Sequence, residues 1–175
     1  IHRAAAGIGI ERFVVDDGWF AGRRDDTSSL GDWRVDRERF ANGLAPLTEH
    51  VHQLGMDLGI WVEPEMVNPD SDLFREHPDW ALTTPGYEPV LARNQLVLDF
   101  GRPEVRDHLY GRIDALLTEH PIAYLKWDMN RDISHPGGAD GSAGAHAHVA
   151  GLYAVLDRLR AAHPQVEIES CASGG

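Results

Sequence analysis

The stretch IAYLKWDMNR, residues 122–131, decides how the rest of the chain is read. Residues 122–125 have the apolar character of a buried strand, and Lys126, Asp128 and Asn130 follow at every second position. Alternate side chains of an extended chain share one face. A cation, an anion and an amide are therefore expected to converge where the strand runs out, with Trp127 and Met129 turned the other way.

Outward from that strand, strand and helix signals alternate. Residues 12–15 and 56–62 are the preceding apolar stretches; the first runs into Asp16-Asp17-Gly18-Trp19 and the second into Glu63-Pro64-Glu65, where Pro64 forces a turn. Leu44, Leu47, Val51 and Leu54 recur at helical spacing, and Gly55 suits a helix stop. A short helix over 71–77 is expected to end at Pro78, with a brief strand at 96–98. Pro103 opens a helix carrying Val105, Leu109, Ile113, Leu116 and Leu117 on one face. After the 122–128 strand comes a loop over 136–145. Val149, Leu152, Leu156 and Leu159 mark an amphipathic helix, and 166–170 a last strand.

Helices of this length between strands mean parallel βα units, in an open doubly wound sheet or in part of a (β/α)8 barrel. Four strands and a fifth at 96–98 are too few for a whole barrel, which needs eight strands and roughly 200 residues. The chain also opens in a helix tail and stops just after a strand. The expected fold class is α/β, an incomplete piece of a (β/α)8 TIM barrel, with residues 1–175 forming a single-domain segment.

Composition narrows the ligand. A net charge of -12 argues against a nucleic-acid or anionic-membrane surface. No apolar run approaches the roughly 20 residues of a membrane-spanning helix. The single cysteine, Cys171, rules out an internal disulfide and points to the cytoplasm.

In either parallel architecture ligands bind at the carboxyl ends of the strands. Asp16 and Asp17, Glu63 and Glu65, and Lys126 to Asn130 fall there, while Glu167, Glu169 and Cys171 alternate along the last strand. Ionised carboxylates accept strongly from sugar hydroxyls, and Trp19, Trp61 and Trp127 offer flat faces for a pyranose ring. No glycine-rich phosphate cradle is present. His146 and His148 form a lone H-x-H with no third ligand, so no metal site is expected; the other histidines, His50, His52 and His108 among them, read as surface residues.

Asp128 at a strand end is placed to attack an acetal carbon, with an ammonium nearby to keep it ionised. Glycoside hydrolysis needs a second carboxyl group. Asp17 and Glu169 are geometrically conceivable, but neither has a feature that would raise its pKa, and a carboxyl beyond residue 175 is the other reading. Two other readings compete: a Schiff-base lyase in which Lys126 attacks a carbonyl, and a non-catalytic carbohydrate-binding fragment.

Asp16-Asp17-Gly18-Trp19-Phe20, Gly59-Ile60-Trp61-Val62-Glu63-Pro64-Glu65-Met66, Arg93-Asn94-Gln95-Leu96-Val97-Leu98-Asp99, Lys126-Trp127-Asp128-Met129-Asn130-Arg131 and Glu169-Ser170-Cys171-Ala172-Ser173-Gly174-Gly175 occur in that order. This succession resembles the α-galactosidases of glycoside hydrolase family 36 over nearly the whole chain. The resemblance implies a retaining α-galactosidase of the melibiase type, acting on terminal α-1,6-linked galactose of melibiose or raffinose-type sugars without metal or nucleotide cofactor. It implies that Asp128 is the nucleophile, that Asp16 and Asp17 grip galactose hydroxyls, and that Trp61, Arg93, Lys126, Asn130, Cys171 and Gly174 line the pocket. The family's acid/base is an aspartate on the strand after the CASGG motif, so no residue of this chain takes that role and the 175-residue piece alone is expected to be inactive. Full-length members add flanking β domains and the last barrel strands, and many are tetramers.

Overall fold

The computed structural model describes residues 1–135, 137 and 143–172. Strands β1 (Arg12–Val15), β2 (Asp57–Val62), β5 (Tyr124–Trp127) and β6 (Glu167–Ser170) form a four-stranded parallel sheet in the order β1-β2-β5-β6. An antiparallel pair, β3 (Met66–Val67) and β4 (Leu96–Val97), is inserted between the second and third of these. Helices α1 (His2–Gly7), α2 (Ala45–Gln53), α3 (Asp72–Glu76), α4 (Pro103–Glu119) and α5 (Gly144–Ala162), with a 3-10 turn at Pro78–Trp80, complete the described elements.

Strand order in the large sheet follows chain order, so the described part winds in one direction. A doubly wound sheet would reverse at a switch point. The 96–98 segment is corrected by the structure: it does not join the parallel sheet but pairs antiparallel with β3, Met66 opposite Val97. Two residues of strand carry too little periodicity to announce a partner.

The sheet is curled. Arg12 on β1 donates to Glu167 on β6 at 2.9 Å, although two strands lie between them. At a strand spacing of roughly 4.8 Å a flat sheet would hold those backbones about 14 Å apart. The Arg12 guanidinium also covers the Tyr124 ring at 4.1 Å, and Tyr124 Oη donates to Glu169. These polar side chains share the inner face. Gly59 on β2 leaves room there: a Cβ would meet Val14 Cγ2 at 3.0 Å and the Tyr124 ring at 3.1 Å.

The helices pack for reasons visible in their sequences. Pro103 supplies the first turn of α4, and Val105, Leu109, Ile113, Leu116 and Leu117 are all buried as their spacing predicts. Each such side chain contributes about 1.5–3 kcal/mol when fully buried. The buried line of α5 is instead His148, Gly151, Val155 and Leu159. Val149, expected on that face, is 41% exposed, while Leu152 and Leu156 are partly buried. A polar residue and a glycine occupy the seam because of what they meet. His148 bonds Glu65 Oε2 at 2.8 Å and the Leu98 carbonyl at 3.0 Å. At Gly151 a Cβ would lie 1.9 Å from the Phe100 carbonyl oxygen. His148, with His120 and His163, is thus buried and not a surface residue.

Gly111 on α4 has open space around it. Gly151→Ala is expected to destabilise the fold by roughly 1–3 kcal/mol through overpacking, and Gly111→Ala to stabilise it by about 0.5–1 kcal/mol through lost chain entropy. Opposite shifts of the urea midpoint are the measurement; equal shifts would contradict the close approach at Gly151.

Candidate active site

The exits of β1, β2, β5 and β6 lie side by side, and the parallel register fixes which side chains meet. Trp61 is paired with Lys126, and Lys126 with Glu169. Asp128, one step beyond β5, donates its backbone N–H to the Val62 carbonyl at 2.8 Å. The residue is 6% exposed and its carboxylate is surrounded by donors. Trp61 Nε1 reaches Oδ2 at 3.0 Å, Asn130 Nδ2 reaches Oδ2 at 2.6 Å, and the Met129 N–H reaches Oδ1 at 2.9 Å. The Cys171 side chain, just past β6, is a further hydrogen-bond partner. Burial raises the Asp128 pKa, but the bonds from Trp61, Asn130, Cys171 and the Met129 N–H outweigh it, so the net direction is downward.

Lys126, expected to keep Asp128 ionised, has its Nζ on Asp16 Oδ2 at 3.0 Å. That bond is the largest reason the Lys126 pKa is raised. An ammonium held by a carboxylate is a poor amine nucleophile, which counts against the Schiff-base reading. Asp17 turns the opposite way: Arg23 Nε and Nη2 donate to its two oxygens at 2.9 Å each. Both aspartates keep open sides, with Asp16 62% and Asp17 42% exposed.

Glu63, first past β2, backs the cluster. It accepts the Asn130 N–H at 2.6 Å and Gln95 Nε2 at 3.2 Å. Burial pushes its carboxyl above the ordinary range, against bonds from Asn130 and Gln95, and the Asp128 charge adds to the rise. Sequence reasoning placed Glu63 at a strand end without a task; the register with β5 was the signal that could have supplied one. Arg23 had no such signal, being one arginine in a polar loop.

The structure thus brings together Asp16, Trp61, Lys126, Asp128, Asn130 and Cys171. Asp17 stands beside Asp16 but is held by Arg23. Arg93 is exposed on a turn whose next residue but one, Gln95, bonds Glu63. Gly174 lies outside the described residues. Two tryptophans are corrected. Trp19 is buried, bonds the Trp61 carbonyl at 2.8 Å and stacks on Trp33. Trp127 is buried on the opposite face, bonding Glu65 at 3.1 Å. Neither offers a face to a sugar, and Trp61, 4% exposed, meets the site through its Nε1 on Asp128. Glu169, conceivable as the second carboxyl, is held by Tyr124. Among the described residues no group of three metal-ligating side chains occurs, and no helix is long and apolar enough to cross a membrane.

The Melibiase family model matches residues 1–175. The α-galactosidase of Escherichia coli is 55% identical over 171 residues, 98% of this chain and 24% of that protein. The crystal structure of the GH36 α-galactosidase AgaA from Geobacillus stearothermophilus superposes with a TM-score of 0.94 at 46% identity, over 100% of this chain and 25% of that one. Variants of AgaA have been crystallised with stachyose and with raffinose. The chain therefore spans about a quarter of the length of these relatives.

Removing one donor from Asp128 is expected to raise its pKa. Because the folded value is depressed, this carboxylate contributes stability above its unfolded-state pKa and loses it as pH falls through the folded one. Asn130→Ala should move the Asp128 carboxyl titration, followed by carbon-13 NMR, to higher pH, with acid unfolding beginning earlier. An unmoved midpoint would show that Asn130 does not hold the charge.

Proposed function

The chain belongs to the Melibiase family, and we infer that it carries the nucleophile half of a retaining α-galactosidase site. The observation that supports this best is Asp128: a carboxylate at a strand exit, withdrawn from water yet held ionised by donors from neighbouring strands. In the reading proposed here its oxygen attacks the anomeric carbon of a terminal α-galactoside, forming a galactosyl ester as the bond to the leaving oxygen breaks. The leaving oxygen takes its proton from an acid outside these 175 residues. Water then attacks the same carbon, giving its proton to the group that protonated the leaving oxygen, and the carboxylate leaves. A depressed pKa serves both steps, giving an anion to attack and a stable leaving group.

Asp16, Asp17, Trp61, Arg93, Lys126, Asn130, Cys171 and Gly174 form the proposed galactose pocket. The open sides of Asp16 and Asp17 suit hydroxyl donors. The proposed substrates are raffinose-type sugars and melibiose with terminal α-1,6-linked galactose; the stachyose and raffinose complexes of AgaA support the raffinose-type class. The curled, singly wound sheet fits the first part of a (β/α)8 barrel. A groove of about 880 Å³ between α5 and β6, lined by Tyr153, Leu156, Val166 and Ile168, is the seat the next βα unit would take. Flanking β domains, assembly into a tetramer and a cytoplasmic setting complete the proposal.

In a full-length protein carrying this segment, Asp128→Asn is expected to lower kcat by several orders of magnitude with galactose binding largely kept. A 2-deoxy-2-fluoro-galactosyl probe should leave its label on Asp128 in a peptide map. Label on Lys126 after borohydride treatment would favour the lyase, and undiminished turnover by Asp128→Asn would end the galactosidase assignment.

A further inference from the structure

Asn68, directly after β3, touches none of the side chains grouped around Asp128, yet it ties two of the proposed sugar contacts together. It is completely buried. Its Oδ1 accepts from the Leu30 N–H at 2.8 Å and from Arg23 Nη1 at 3.1 Å. Its Nδ2 donates to the Asn94 carbonyl at 2.7 Å and the Asp26 carbonyl at 3.2 Å. A carboxamide has two donor hydrogens and one oxygen with two lone pairs. All four are used.

Each end of this joint leads to a residue expected to meet galactose. On one side, Arg23 is 4% exposed, and the guanidinium that Asn68 holds grips both oxygens of Asp17 at 2.9 Å while Nη1 also reaches the Ser28 carbonyl at 2.9 Å. On the other, Arg93 and Asn94 form a two-residue turn closed by hydrogen bonds of 3.0 and 3.3 Å between Gln95 and Ala92. Both central residues have positive φ, 52° for Arg93 and 60° for Asn94. Asparagine tolerates that region, but an arginine enters it only when its surroundings leave no alternative. The Asn68 amide holds the turn at the Asn94 carbonyl, at its centre, while Arg131 Nη1 holds the Gln95 carbonyl at its end at 2.7 Å. Gln95, the next residue, then bonds Glu63 behind Asp128.

We propose that Asn68 is a positioning residue that sets Asp17 and Arg93 relative to one another, so that galactose affinity depends on a buried amide that contacts no sugar. This rests on the galactosidase reading for what the two residues hold.

Asn68→Asp separates the two halves. The aspartate still accepts from Leu30 and Arg23, but it loses both donors and turns an oxygen toward the Asn94 carbonyl. In a full-length protein carrying this segment, KM for an aryl α-galactoside and the inhibition constant of free galactose are expected to rise roughly tenfold, the effect of a hydrogen bond or two, while kcat per titrated active site changes far less. A purely structural role would instead lower the number of titratable sites and leave KM of the remainder alone. In an Arg93→Ala background the Asn68→Asp effect should shrink, since the turn then has nothing to position. If Asn68→Asp does not fold, Arg23→Lys, which cannot reach Asp17 and Asn68 together, should raise KM in the same way. An unchanged KM and galactose inhibition constant in the variant that folds overturns the proposal. A parent protein that neither hydrolyses nor binds galactosides overturns the galactosidase reading instead.

Discussion

A carboxylate withdrawn from water must find donors to replace the solvent it lost, and at Asp128 those donors come from across the sheet. Trp61 reaches it from β2, Asn130 from two residues onward, and Cys171 from just past β6. No single strand could supply them. The ring of donors forms only while β2, β5 and β6 keep parallel register, and a slip of one residue on any of them would turn its side chain to the opposite face. The site and the sheet are therefore one constraint seen from two sides. Glu63 extends it: by accepting the Asn130 N–H it curls the chain past β5 so that the Asn130 amide comes back onto Asp128.

The inner face is polar well below the site, and its charges are satisfied across the curl. Arg12 meets Glu167 and Lys126 meets Asp16, both pairs reaching past at least one intervening strand, while Tyr124 meets Glu169 on the adjacent strand. The pairing gives the acidic strand exits local partners in a chain of net charge -12. It also divides labour among cations. Lys126 and Arg23 orient the tandem aspartates, while the hydrogen bonds on Asp128 come from neutral donors and Lys126 acts on it only through its charge.

Behind this face the packing follows a different logic. Trp127 and Glu65 bond on the far side of β5, and Glu65 in turn bonds His148 of α5. The helix after the site is thus fastened to the segments flanking the antiparallel pair, at Glu65 and at the Leu98 carbonyl, with Gly151 permitting the Phe100 carbonyl to approach. The polar seam of α5 accounts for the misplacement of its buried face: apolar spacing pointed to Val149, whereas hydrogen bonding drew His148 inward.

What the sequence by itself determined is whatever depends on periodicity. Alternation along 122–130 put Lys126, Asp128 and Asn130 on one side and Trp127 on the other, and the 3.6-residue repeat identified the buried face of α4, because both follow from backbone geometry within a single element. Only the tertiary structure decided partners between elements. That Trp61 and not Lys126 bonds Asp128, that Trp19 and Trp127 are core, and that Asn68 joins Arg23 to the turn at Arg93 depend on strand register and on loops folded back over many residues. Contacts at separations of 26 to 67 residues leave no local period in the chain.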